Sequence, residues 1–235
     1  MQVAISTTDR QPPFVHDLLQ TLFAKGQGKD LRIRCVVCGP DDGYLQDWSG
    51  RIETETLDSR GVRRIAHLKP KRRIFFNAIR CLKGADYADS LLLCQDDIVF
   101  CKDWRAKLSK MIDRAPVHLA KSQPRHSKLG RCGDRYLLSL YAAYPFKARP
   151  VCGYPIQKFY GTQCMFFPQQ VLQDVAEAMD GAFDEGRCPP DDIWLKEWCM
   201  RQDLPILCGI PNLVQHVGVG STIGSGFHQS PTYEG

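Results

Sequence analysis

The chain has no run of about 18 consecutive apolar residues, so no membrane-spanning helix is expected among its 235 residues. It also lacks a basic start followed by a long apolar stretch. Met1-Gln2-Val3-Ala4-Ile5-Ser6-Thr7-Thr8 is uncharged before Asp9 and reads as a first strand rather than a signal peptide. No internal repeat and no low-complexity segment is present, which excludes solenoid and array architectures. Cysteine, by contrast, is plentiful: 11 residues, an odd number without a secretion signal, which reads as reduced thiols in a cytosol. Cys35-x-x-Cys38 lies inside the β-branched run Arg34-Cys35-Val36-Val37-Cys38. A zinc site or redox pair favours a loop or helix start, so these two read as buried structural thiols.

Apolar residues make up 43% and charged residues 24%, an ordinary globular balance in a length that suits one large domain with a substantial core. The formal net charge of +5 is mild but unevenly spread. Arg63, Arg64, Lys69, Lys71, Arg72 and Arg73 crowd one segment, and Lys121, Arg125, Lys128, Arg131 and Arg135 mark a second. Such runs are either a solvated face or an attraction for polyanions, a diphosphate or a nucleic acid.

Strands are expected at Gln2–Ser6, Leu31–Cys38, Ile65–Leu68 and Ser90–Cys94. Between them, helices are expected from Phe14 to Phe23, over Arg72–Leu82, and over Trp104–Ile112 behind an Asp103 cap. This alternation predicts an α/β fold with a mostly parallel central sheet flanked by helices. Residues 121–159 read as a long loop or inserted lobe. A strand over Gly161–Phe167, helices over Pro168–Met179 and Pro190–Gln202, and short strands at Ile206–Cys208 and Leu213–Val214 follow. The expected organisation is a domain over 1–217, with a nucleotide-binding half over about 1–115 and an acceptor half over about 116–217. A Gly/Ser-rich flexible tail over 218–235 closes over the donor site.

The central observation is Gln95-Asp96-Asp97, two acids directly after the buried run Leu91-Leu92-Leu93-Cys94. Acids at that point face the crevice at the carboxyl end of the sheet, where open α/β sheets bind ligands. Strand alternation turns the two side chains apart, one toward a divalent cation and the other toward a sugar or ribose hydroxyl. His216 ends a short apolar strand. It reads as a half-buried histidine or a second ligand for Mn2+ or Mg2+. The Gly-rich segment after it, with Ser221 and Thr222, offers hydroxyls and backbone N–H groups to a diphosphate. Asp191 and Asp192 open a helix, where they act as helix-start acids or as a general base for an acceptor hydroxyl. Thr7, Thr8 and Arg10 follow the first strand, and Asp41 and Asp42 the second, within reach of a nucleotide. Arg73 and Asn77 share a helix face at i, i+4 spacing and are expected to meet the diphosphate-sugar.

Taken together, Ile5-Ser6-Thr7-Thr8-Asp9-Arg10, Gly39-Pro40-Asp41-Asp42, Leu92-Leu93-Cys94-Gln95-Asp96-Asp97-Ile98 and Asp191-Asp192-Ile193-Trp194-Leu195 resemble the GT-A class of glycosyltransferases. Gln215-His216-Val217-Gly218-Val219-Gly220-Ser221-Thr222-Ile223 is similar to the Gln-His-Val-Gly…Ser-Ser segment of the N-acetylglucosaminyltransferase IV family. The resemblance implies a Rossmann-like GT-A sheet and a metal held by Asp97, with His216 as second ligand. It also implies a base at Asp192 or Asp191, a UDP-sugar donor and inversion at the sugar. Those families often carry Glu where this chain has Gln95. The chain lacks the membrane anchor and stem of Golgi enzymes, so a cytoplasmic enzyme of a bacterium or a virus-infected host cell is expected, with a glycan or modified DNA as acceptor. Two other classes compete. One is a nucleic-acid-binding protein whose site is the basic segments. The other is a nucleotidyltransferase, disfavoured because no Gly-rich phosphate loop lies near residue 10.

Overall fold

The computed structural model describes residues 1–8, 14–40, 42–122, 135–146, 150–217 and 229–235. Strand β1 (Gln2–Thr7) leads through helix α1 (Val15–Phe23) to β2 (Arg32–Val37) and a short β3 (Glu53–Glu55). Helices α2 (Ser59–Ala66) and α3 (Pro70–Lys83) precede β4 (Leu91–Gln95) and β5 (Ile98–Phe100), after which comes the long α4 (Trp104–Ser122). The second half contributes β6 (Leu137–Ser139), β7 (Val151–Gly153), β8 (Cys164–Phe167), α5 (Gln169–Asp184), α6 (Asp191–Arg201), β9 (Ile206–Gly209) and β10 (Val214–His216).

Eight strands form one mixed sheet in the order β3-β2-β1-β4-β8-β6-β9-β7. β1 pairs in parallel with both β2 and β4, while β8 runs antiparallel to β4 and β6. The chain therefore builds outward from β1 to β3, then returns to place β4 on the other side of β1. That reversal opens a crevice at the carboxyl ends of β1 and β4.

Alternation along the strands splits the core into two layers. Val3, Ile5, Leu92, Cys94, Cys164 and Phe166 face one way, toward Leu18, Leu19 and Leu22 of α1 and Trp104, Leu108 and Met111 of α4. Ala4, Leu91, Leu93, Met165 and Phe167 face the other, toward α3, α5 and α6. A strand buried on both faces reads as an unbroken apolar run, which is why Leu91-Leu92-Leu93-Cys94 stood out.

Some expectations need correction. Ile65–Leu68 is not a strand: the Asp58 carboxylate accepts from Gly61 N at 2.6 Å and starts α2, whose Ile65 packs with Leu57, Leu68 and Phe76. The third strand is instead Glu53–Glu55, a polar edge held by Arg32–Glu53 and Arg34–Glu55 pairs, which no hydrophobic pattern announces. Asp103 stands directly before α4, where the sequence places it. It stands in the left-handed region (φ 57°), and its carbonyl accepts from Lys107 N. The presumed loop over 121–159 contributes β6 and β7 to the sheet. Residues 218–228 lie outside the described residues. Beyond them Ser230 is buried and bonded to Asn212 and Gln215, which anchors the segment over 229–235 at that point.

Candidate functional site

The last paired residues of β1 and β4 at the crevice are Ser6 and Gln95. There the structure opens a cleft of about 410 Å³, large enough for a small ligand. Ser6, Thr7 and Thr8 form one wall and Gln95, Asp96 and Asp97 the next. Pro70, Arg73, Ile74 and Asn77 of α3 close the third side, with Cys38 beside them.

The two acids after β4 turn to different partners, as expected, though they do so in the bend between β4 and β5 rather than by alternation along a strand. Asp96 is buried and accepts from Thr7 Oγ1 at 2.9 Å and Thr8 N at 3.4 Å, so it fastens the end of β1 to the end of β4. Tyr44 adds its hydroxyl, 3.3 Å from Thr7 Oγ1. Asp97 instead lies with Oδ2 3.2 Å from His216 Nε2. A separate two-stranded ribbon makes that meeting possible: β10 pairs antiparallel with β5, setting His216 opposite Ile98, and Val217 N donates to Asp97 O at 2.9 Å. Tyr141 is buried close by, and burial, then Tyr160 and Asp97, pushes its phenol up to about 12.

The second acid pair approaches from α6. Pro190 precedes the helix and no side chain caps it, so its first free N–H groups are met by the acids themselves. Asp191 Oδ1 accepts from Asp192 N at 3.1 Å, and Asp192 Oδ1 from Ile193 N at 2.9 Å. Their other oxygens go to the turn before β8: Gly161 N donates to Asp192 Oδ2 at 3.2 Å, and Thr162 Oγ1 donates to Asp191 Oδ2. Gly161 has φ +77°, a left-handed conformation that other residues rarely adopt, so the turn favours glycine. Thr162 also accepts from Gln95 Nε2 at 3.2 Å. Burial, opposed by the Thr162 bond, pushes the Asp191 carboxyl up to about 6. Part of the Asp191 residue reaches solvent while its carboxyl is packed deep, in a small cavity that shares Ser6, Ile74 and Gln95 with the main cleft.

Among the expected residues, Thr7, Thr8, Arg73, Asn77, Gln95, Asp96 and Asp97 line the cleft, His216 meets Asp97, and Asp191 reaches the adjoining cavity. Asp42 precedes the turn at Gly43–Trp48 and is not part of the lining. Arg10, Asp41, Ser221 and Thr222 lie outside the described residues. Asn77 is 1% exposed and donates to Ser6 Oγ and Val36 O at 2.8 Å while accepting from Arg80 Nη1, so it ties α3 to the strands rather than meeting a ligand. Arg73 stands at the rim, but its guanidinium already donates to Leu68 O and Ala66 O, clamping the end of α2. Thr162, Gly161 and Tyr44 join the site without any sequence signal beyond a Gly at the start of an expected strand.

Among the described residues no group of three His, Cys, Asp or Glu could hold a metal. Asp97 and His216 supply one hard oxygen and one imidazole nitrogen, a donor pair suited to a Mn2+-class ion whose shell is completed by phosphate oxygens and water. They fit such an ion as a half-site.

No protein-family model matches the chain, and no curated protein matches it. Solved structures do. A Bacillus anthracis protein described as a glucose-1-phosphate thymidylyltransferase, in complex with a sucrose, aligns over 92% of this chain and 89% of its own, with 10% identity and a TM-score of 0.54. S. aureus TarS aligns over 74% of this chain with 11% identity and a TM-score of 0.46, and this chain spans 29% of it. TarS 1–349 in complex with UDP-GlcNAc aligns over 74% of this chain and 47% of its own, with 11% identity and a TM-score of 0.45. The first of these similarities bears out the expected fold, a Rossmann-like, GT-A-like α/β sheet flanked by helices.

Proposed function

We propose that the protein transfers a sugar from a nucleotide diphosphate-sugar to an acceptor hydroxyl. One observation carries this reading: a cleft at the strand-order reversal has Asp97 with His216 on one wall and, through Gln95 and Thr162, a deep carboxyl at Asp191 on another. The finer reading follows the sequence resemblance, namely a UDP-sugar donor, kinship with the N-acetylglucosaminyltransferase IV family, a cytoplasmic setting and inversion.

Asp97 and His216 would hold Mn2+ or Mg2+. When bound, such an ion neutralises the leaving diphosphate. Arg73 at the rim adds positive charge near the same oxygens. Asp191, at about 6, is ionised at neutral pH yet basic enough to accept a proton, which favours it over Asp192 as the base. The acceptor O–H proton passes to Asp191, the acceptor oxygen forms its bond to the anomeric carbon from the opposite face, and the bond from that carbon to the diphosphate breaks. Asp192, tied to Gly161 N and Ile193 N, holds the helix start in place.

The test is a binding and turnover screen of UDP-, GDP-, ADP- and dTDP-sugars with and without Mn2+. A parallel arm offers nucleoside triphosphates with sugar 1-phosphates. Turnover only in that arm would replace the reading with a nucleotidyltransferase.

A second reading concerns the acceptor. Residues 59–85 contain no Asp or Glu, and Arg60, Arg63, Lys69 and Lys71 are exposed there without an ion pair among the described residues. Within the same segment Arg64, Arg80 and Lys83 are matched, to Asp184, Glu55 and Asp180. This run of cations without acids, in a segment that reaches the cleft at Pro70 and Arg73, favours a polyanionic acceptor such as modified DNA over a neutral glycan. Replacing Arg60, Arg63, Lys69 and Lys71 with Gln should flatten the salt dependence of DNA binding and leave donor affinity unchanged. No DNA binding at low salt would leave the glycan.

A further inference from the structure

We propose that Gln95 and Thr162 form a directional hydrogen-bond relay that positions Asp191 and keeps it in the ionised, proton-accepting state. The relay rests on the sugar-transfer reading only for its purpose, not for its geometry.

The direction follows from donor and acceptor counts. A threonine hydroxyl has one hydrogen to give. Thr162 is 5% exposed, so water does not freely supply alternatives. Gln95 Nε2 donates to Thr162 Oγ1, an amide N–H that has nothing to accept. The Thr162 hydrogen is thereby left for Asp191 Oδ2, to which the hydroxyl donates. A hydroxyl that must donate stabilises a carboxylate and has little to offer a carboxylic acid. The backbone locks the same register, because Gln95 N donates to Gln163 O at 2.8 Å, one residue beyond Thr162. The turn before β8 thus splices the acid pair after β4 to the acid pair of α6.

This gives a physical reason for glutamine at position 95, where the resembling families often have glutamate. A glutamate there would accept from Thr162 and take the hydrogen that Asp191 now receives. Gln95 is then not a weakened metal-site acid but the residue that fixes the polarity of the chain. Thr162 and Gln95 are positioning residues; Asp191 is the group that touches the acceptor.

The test reads Asp191 directly, by carboxyl-carbon NMR titration of the whole chain in chelator and without substrate. Replacing Thr162 with Val should raise the Asp191 midpoint by about one pH unit, and Thr162→Ser should restore it. Gln95→Glu should raise it as well, with Thr162 still present. In a Thr162→Val background the further effect of Gln95→Glu should shrink, because the hydrogen being competed for is gone. An equal Gln95→Glu effect in both backgrounds would mean simple charge repulsion and would overturn the relay, as would an unmoved midpoint in Thr162→Val. Circular dichroism of each variant identifies any that fails to fold, and Thr162→Ser then carries the comparison through its own midpoint, expected at the wild-type value. In the pH–rate profile the acid limb should follow the midpoint, a loss of about fivefold at pH 6 for a one-unit shift. A shifted midpoint in a protein that moves no sugar would leave the relay standing and remove the enzymatic reading alone.

Discussion

The two Asp-Asp pairs look alike in sequence and divide their labour in the same way by different means. After β4, Asp96 is spent on Thr7 and Thr8 while Asp97 is left to His216. At the start of α6, Asp192 is spent on Gly161 and Ile193 while Asp191 is held by Thr162. In the first pair the bend between β4 and β5 separates the roles, turning Asp96 to the end of β1 and Asp97 to β10. In the second pair both acids sit in a helix's first turn, and the turn before β8 sorts them. An adjacent acid pair at a site edge is thus one structural acid and one available acid, and the neighbouring backbone decides which is which.

The sharpest break of this comparison is Asp97→Ala. It should abolish Mn2+-dependent donor binding, measured calorimetrically, while thermal unfolding stays close to wild type. Retained Mn2+-dependent binding would remove the half-site. Asp191→Asn comes next: turnover should fall by about a hundredfold or more with donor affinity kept, because only proton removal is lost. If Asp192→Asn is instead the dead variant, the roles within the second pair are reversed.

The third effect is on stability. The Asp191 carboxyl, raised from an ordinary 3.8 to about 6, binds its proton more tightly in the folded chain than in the unfolded one. Folding stability should therefore fall as pH rises through roughly 4 to 6, by up to about 3 kcal/mol. Asp191→Asn should be more stable than wild type above pH 6 and indistinguishable below pH 4 in urea melts; equal curves throughout would mean the carboxyl is not raised. Smallest is Asp192→Asn, which keeps an acceptor for Gly161 N. It should cost about 1 kcal/mol or less and a few-fold in turnover.

Most of the fold was legible because the strands buried on both faces and the Pro-led helices carry strong local signals, as at Leu91–Cys94, Pro168 and Pro190. Glu53–Glu55 was not, since an edge strand held by arginine pairs has no hydrophobic signature. In the site, Asp97 and Asp191 could be found from what precedes them. Asn77 misled because helical spacing places a side chain on a face without saying that Ser6 and Val36 already occupy its donors. Thr162 was invisible, because its two partners are distant in sequence: Gln95 meets it through the β4–β8 pairing and Asp191 comes from the start of α6.

The ribbon of β5 and β10 also sets an order in time. Asp97 leaves the ribosome well before His216, and synthesis at about 5–20 residues per second makes the interval on the order of ten seconds. During that interval β1, β2 and β4 can assemble, yet the imidazole opposite Ile98 does not exist. Up to that point the nascent chain carries Asp97 without its partner, and the meeting of the two waits for the second strand of the ribbon.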